Sequence, residues 1–299
     1  MIDGILNINK PTGMTSHDVV AKVRKLLKQK RVGHAGTLDP AASGVLPICV
    51  GQGTRVAEYL SESGKAYSAD ILFGIVTDTY DAEGSVVRTA STENLTLDEI
   101  EQVLPSFLGP QMQMPPLYSA IKLQGQPAYK RMRAGEDITL APRPIIITRL
   151  DILAWQPPKL TLAIECSKGT YIRSLAYDLG ERLNCGAHLV GLVRTRSGPF
   201  SLSDSISLDQ LAEAVENGTI EQYVHPSDSV LQHYPAILLD DATTERVLHG
   251  NTFPYDTETK AELARVYDTH GQFVAIAEWD MERGMWQPTK VFAVDHHSL

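Results

Sequence analysis

Cysteine is scarce in this chain: three in 299 residues, at positions 49, 166 and 185. They are odd in number, widely spaced and without a C-x-x-C pair. That excludes a disulfide framework and a zinc site, and fits reduced thiols in a cytoplasm. Long apolar runs are missing as well, and none approaches the roughly 18 residues of a membrane span. The opening MIDGILNINKPTG carries an early acid and lacks the basic-then-apolar pattern of an export signal. A cytoplasmic protein without membrane contact is therefore expected. No Walker A motif occurs, and GQGTRV has Val56 where a dinucleotide-binding loop needs its third glycine. AASGV is not a G-x-S-x-G elbow. Asp78, Asp81 and Glu83 do not follow calcium-loop spacing and read as a polar turn. Neither a metal nor a cofactor is expected.

Net positive charge is also absent overall, since the chain carries −9. The distribution is uneven. Residues 1–60 hold eight basic and four acidic side chains, and 61–110 hold two and nine; 111–198 hold twelve and six, and 199–299 hold five and seventeen. Two basic segments thus lie in an acidic chain. They fit either a local polyanion site or solvated helix faces.

What is present begins with alternation in GILNINK, a strand ending in the turn KPTGMTS. Thr15 and Asp18 have capping-box spacing ahead of a helix with Val19, Val20, Val23, Leu26 and Leu27 on one face. Strands follow at GVLPICVG and KAYSADILFGIV, and an amphipathic helix at TLDEIEQVLPSFLG. Residues 115–133 interleave Tyr118 and Tyr129 with Lys130, Arg131 and Arg133, a mixture that suits stacked bases and phosphates in a surface loop. LTLAIEC reads as a strand, and SKGTYIRSLAYDLGERL turns into a helix. GAHLVGLVRTRSGPF is a strand with a basic face at Arg194 and Arg196, and SLDQLAEAVENG is a further helix. From about Ala236 the pattern changes to a helix and short strands, a small β-rich module.

One loop stands out. In GHAGTLDPAASGVLP, residues 33–47, small residues surround the single acid Asp39. A Leu-Asp-Pro turn with its carboxylate bonded to local backbone accounts for the pattern. So does a nucleophile or base that a bulky substrate approaches closely, with an arginine to keep it ionised.

NKPTGMTS (9–16), GHAGTLDPAASGVLP (33–47), KAYSADILFG (65–74), PPLYSAIKLQGQPAYKRMR (115–133), GTYIRSLAYDLG (169–180) and GAHLVGLVRT (186–195) occur in the order seen in the TruB family of tRNA pseudouridine synthases, and the chain resembles that family over roughly residues 1–200. The resemblance implies an α+β fold: a mixed, largely antiparallel central sheet with flanking helices over 1–232, with 115–135 as an RNA-contacting insertion. A PUA-like β-rich domain would occupy 236–299. It implies isomerisation of the T-loop uridine at tRNA position 55, without cofactor, metal or guide RNA, by a monomer. Asp39, Tyr67 and Arg173 match the catalytic positions, the arginine pairing with the aspartate in bidentate fashion. Lys10, His34, Gly36, Tyr171, Leu192, Lys122, Lys130 and Arg131 match or accompany substrate-binding positions.

Each has a plainer account: a turn lysine, a structural histidine, core packing or a solvated cation. Val193 stands where an arginine is common, so one phosphate contact is expected to be missing. A catalytically silent tRNA-binding or folding module on the same scaffold is the alternative; intact Asp39, Tyr67 and Arg173 speak against it. A guide-dependent enzyme of the dyskerin type is disfavoured because only eight residues precede NKPTG. A glycoside hydrolase lacks its second carboxylate.

Overall fold

The computed structural model describes residues 2–119, 121–123, 125–134, 136, 138–255 and 261–292. Its framework is a ten-stranded sheet flanked by helices. From one edge the main strands run Val224–His225, Gly4–Lys10, Ser43–Val50, Ala187–Ser197, Lys65–Phe73, Lys159–Cys166, Arg143–Gln156 and Gly109–Gln113. Their pairings are antiparallel except one: Ala187–Ser197 runs parallel to Ser43–Val50 at Val193–Ser43 and Arg194–Gly44. Gly44 makes that crossing feasible. Its φ is +100°, and a Cβ there would lie 2.3 Å from the Arg194 carbonyl oxygen.

Three helices start where side chains satisfy the first free amides. Thr15 accepts from the Asp18 amide while Asp18 accepts from the Thr15 amide, which opens the helix Ser16–Leu27. The same reciprocal arrangement at Thr96 and Glu99 opens Leu97–Val103, and at Ser207 and Gln210 it opens Leu208–Glu216. Among the described residues no helix is long and apolar enough to cross a membrane.

Apolar side chains gather in two clusters along one face of the sheet. One cluster includes Ile71, Phe73, Leu160, Leu162, Leu175 and Leu179. Another joins Leu6, Ile8, Leu46 and Ile48 to Val19 and Val23 of the first helix. Tyr67 and Leu192 pack against both clusters, so the cavity they line opens at the seam between two cores.

The C-terminal part forms a four-stranded sheet of Ala236–Leu238, Leu263–Tyr267, Phe273–Asp280 and Met285–Val291, with the helix Asp241–Leu248 packed on it. Its Ile276 and Phe292 share a buried cluster with Ile5, Val45, Val56 and Leu60 of the large sheet and its neighbours.

Two strands of the large sheet, Gly109–Gln113 and Arg143–Gln156, lie outside the elements read from the sequence. The strand read through KAYSADILFGIV stops at Phe73, because Gly74 at φ +89° turns the chain into the separate hairpin of Ile75–Thr77 and Val86–Thr89.

Candidate active site

Asp39 sits in the turn before the strand Ser43–Val50, where its carbonyl accepts the Ala42 amide at 3.1 Å. Its side chain is 46% exposed. The helix Ile172–Arg182 brings Arg173 to it from below, with Nη2 3.1 Å from Asp39 Oδ2. The pair forms through a single guanidinium nitrogen rather than the bidentate fork expected. The reason is competition: Nη1 meets Asp81 Oδ2 at 3.2 Å and the Thr79 carbonyl at 3.4 Å, while Nη2 also donates to the Tyr118 carbonyl at 3.1 Å. Arg173 is almost fully buried, so its charge needs these partners.

A cavity of about 510 Å³ lies beside the pair, lined by Asp39, Tyr67, Tyr171, Arg173, Leu192 and Arg194. That size is within the ordinary range for a small-molecule or nucleoside-sized site. Gly36 is also on its wall. Tyr67 comes from the strand Lys65–Phe73, and burial pushes its phenol pKa up. Arg194 hydrogen-bonds the Tyr67 side chain and also holds Val45 O at 2.7 Å and Gly36 O at 3.0 Å. Burial in turn lowers the Arg194 pKa. Tyr171 stands at the start of its helix with its backbone pinned by Gln113, whose amide donates to Tyr171 O at 3.0 Å and accepts from Tyr171 N at 2.8 Å. Burial raises the pKa of the Tyr171 hydroxyl.

A second cavity of about 630 Å³ opens on the other side of the same ion pair, with His17, Asp78, Asp81 and Tyr118 on its walls. Asp39 and Arg173 therefore form a partition between two spaces.

Lys10 occupies a different place from the one expected of a substrate-binding residue. It is fully buried, and its Nζ donates to Met14 O at 2.6 Å, Pro11 O at 2.8 Å and Pro40 O at 3.2 Å. Burial lowers its pKa against the opposing field of Asp39. The ammonium thus ties the KPTGM turn to the residue following Asp39, out of reach of a phosphate. His34 is half-buried, with Nδ1 enclosed and unbonded and its ring edge-on to His17 at 5.2 Å. Desolvation, then His17 and Arg194, lowers its pKa and favours neutral imidazole.

Arg131 pairs with Glu136 at 2.5 Å, so its charge is already partnered. The side chains of Lys122 and Lys130 lie outside the described residues. Around them the backbone forms a short hairpin and the helix Ala128–Arg133, on a small core of Ala128, Ile138 and Leu140.

The small residues of the Asp39 loop have structural reasons of their own. Ala35 and Ala42 are buried in cores, and Gly44 permits the strand crossing. Gly36, at φ +86°, is the glycine of the loop on the cavity wall.

Residues 24–172 match the TruB family pseudouridylate synthase N-terminal domain, and 173–232 match the tRNA pseudouridylate synthase B C-terminal domain. Residues 235–291 match the C-terminal domain described as pseudouridine synthase II TruB. A tRNA pseudouridine synthase B of Dehalococcoides mccartyi is 43% identical over 291 residues, 97% of either chain. The chain belongs to the TruB family. Another relative, the tRNA pseudouridine synthase B of Clostridium kluyveri, is 46% identical over 279 residues, covering 92% of this chain and 95% of that one. Among solved structures, an H/ACA RNP bound to a substrate RNA containing 2′-deoxyuridine includes a chain that superposes with a TM-score of 0.75 at 26% identity. The match covers 98% of this TruB-family chain and 86% of the other. The α+β framework with a central, mostly antiparallel sheet is thus shared with pseudouridine synthase structures.

Three participants escape the sequence reading. Asp81, assigned to a polar turn, is the second carboxylate on Arg173. Arg194, read as part of the basic face of a strand, is buried beside Tyr67. Lys65 lines the first cavity with its pKa pushed down to about 8 by burial, its Nζ donating to the Ser61 carbonyl at 2.7 Å. The signal for Asp81 is its place in an Asp- and Gly-rich turn directly after a core strand. Nothing in the local pattern marks Arg194.

Proposed function

We propose that this protein converts a uridine of tRNA, the T-loop residue at position 55, into pseudouridine, with Asp39 as the essential carboxylate. The observation that carries this reading is the Asp39–Arg173 pair on the wall of a nucleoside-sized cavity whose other walls are Tyr67, Tyr171 and Leu192. The names of the near-full-length relatives, tRNA pseudouridine synthase B, support its coarser part, the conversion of a tRNA uridine.

A uridine inside a folded loop cannot reach a carboxylate recessed between two cavities, so the nucleotide has to leave its stack. Tyr67 and Leu192 then offer a ring face and an apolar wall for the uracil. The Arg173 guanidinium pairs with one Asp39 oxygen and leaves the other open to the ribose. The C1′–N1 bond breaks, the uracil turns, and C1′ joins C5. The C5 proton departs and N1 acquires one, so the isomerisation balances without an external oxidant, reductant or group donor. The Tyr67 hydroxyl, held by Arg194, is placed to serve the C5 proton transfer. The enzyme acts without a guide RNA, reading the T arm through its own surface.

The test is a tRNA transcript labelled with tritium at uridine C5, incubated with enzyme alone. Tritium release is expected from the wild type, with the new pseudouridine mapping to position 55. Asp39→Asn is expected to bind tRNA and release nothing. Binding without release by the wild type would assign the silent tRNA-binding module instead.

A further inference from the structure

Arg173, Tyr177 and Glu181 stand four residues apart on the helix Ile172–Arg182 and so share one face. All three grip the same hairpin. Arg173 holds the Thr79 carbonyl and Asp81; Tyr177 stacks on Tyr80, with ring centroids 4.1 Å apart and planes at 20°; Glu181 pairs with Arg88 on the returning strand.

Tyr80 has φ +63°, a conformation that bulky residues seldom adopt and that persists only where the surroundings hold it. Here its amide donates to Thr77 O at 3.3 Å and its carbonyl accepts the Leu189 amide at 3.0 Å, with the Tyr177 ring closing over the side chain. Asp81 is the next residue. Its Oδ1 accepts from Thr79 Oγ1 at 2.5 Å and the Glu83 amide at 3.0 Å, and its carbonyl accepts from Thr77 Oγ1 at 2.6 Å. That leaves Oδ2 aimed at Arg173.

The consequence reaches Asp39. A guanidinium with no other acid nearby favours two parallel bonds to one carboxylate. Asp81 takes one arm of Arg173 and limits Asp39 to a single contact. We propose that Tyr177 is a positioning residue for the reaction: its stack on Tyr80 fixes Asp81, which shares Arg173 with Asp39 and keeps one Asp39 oxygen free. This rests on Asp39 being the essential carboxylate for uridine isomerisation.

Single-turnover tritium release with enzyme in excess, alongside filter binding of the same tRNA, tests the role. Tyr177→Ala should slow release about tenfold while tRNA affinity stays within about twofold. Tyr177→Phe, which keeps the ring face, should restore the wild-type rate. Tyr177→Leu keeps much of the volume without a ring and should be as slow as Tyr177→Ala, which covers the case where the alanine variant unfolds. Tyr80→Gly, which relaxes the backbone but loses the stack, should also be slow, and combining it with Tyr177→Ala should slow release no further. A wild-type rate in Tyr177→Ala or Tyr177→Leu, or a slow Tyr177→Phe, would overturn the inference. Silence of the wild-type enzyme would reject the isomerisation itself, and the inference with it.

Discussion

Arg194 shows how much of this site depends on a buried cation whose bonds go to the protein. Its side chain reaches the backbone carbonyl of Val45 in the core and, on the wall of the first cavity, the Gly36 carbonyl and the Tyr67 hydroxyl. Replacing it with methionine fills much of the space but leaves those acceptors unpaired. A buried unsatisfied group costs roughly 1–3 kcal/mol. Arg194→Met is therefore expected to lower the unfolding free energy by about 3 kcal/mol in a urea titration, with tritium release reduced by loss of the Tyr67 support. Stability equal to the wild type would show that water replaces the guanidinium. The same residue marks a limit of sequence reading. Arg194 and Arg196 are two apart, which in an unbroken strand puts both on one face. The strand pairing shifts register between them, so Arg194 turns inward while Arg196 meets Glu165 at 2.7 Å. The joining of Asp39 to Arg173 is implied by family resemblance alone, since no spacing rule links residues so far apart.

At the scale of elements, the helix Ile172–Arg182 carries the site on one face and a mismatch beside it. Asp178 is half-buried, and desolvation followed by Glu181 raises its carboxyl pKa from the ordinary value to about 6. The folded state therefore holds the proton more tightly than the unfolded chain, and the sign follows directly. At pH 8 the side chain is ionised in both states and the full penalty applies. Below the ordinary carboxyl range it is neutral in both and the penalty vanishes, so its contribution to stability falls as pH rises from about 4 to about 6. Asp178→Asn should stabilise the protein by about 2 kcal/mol at pH 8, discounting for partial exposure, and by well under half of that at pH 4.5. Urea titrations at the two pH values check it; an equal gain at both would remove the titration as cause. This helix is legible because its apolar spacing is local: Ile172, Leu175, Ala176 and Leu179 recur on one buried face. The strand Arg143–Gln156 is not, for a physical reason. Bulges at Ile147/Arg149 and Ile152/Ala154 break the alternation by which a strand announces itself.

Over the whole molecule, net charge misleads about partners. The chain is at −9, yet the first cavity is bordered by Lys65, Arg143, Arg173 and Arg194 against Asp39 alone. The second cavity has the opposite balance, with Asp39, Asp78, Asp81 and Glu83 against Arg173 and His17. Phosphates are therefore drawn to the side of Tyr67 and Tyr171 and repelled from the side of Asp81, which gives an incoming RNA strand one favoured way across the Asp39–Arg173 partition. Of the four cations at the first cavity, Arg173 and Arg194 are committed to protein groups, and Lys65 is buried with its Nζ on a backbone carbonyl. Arg143 is different: it is exposed, and no acid lies within ion-pair distance among the described residues. It is the cation of this rim best placed to meet a phosphate. Each phosphate neutralised on a single strand contributes about 0.7 to the slope of log affinity against log salt. Arg143→Gln should lower that slope by about 0.7 and weaken tRNA binding most at low salt, with the single-turnover rate at saturating enzyme little changed. Filter binding across a salt series reads the slope. A parallel line, weaker at every salt concentration, would mean that Arg143 shapes the cavity wall without contacting the RNA backbone.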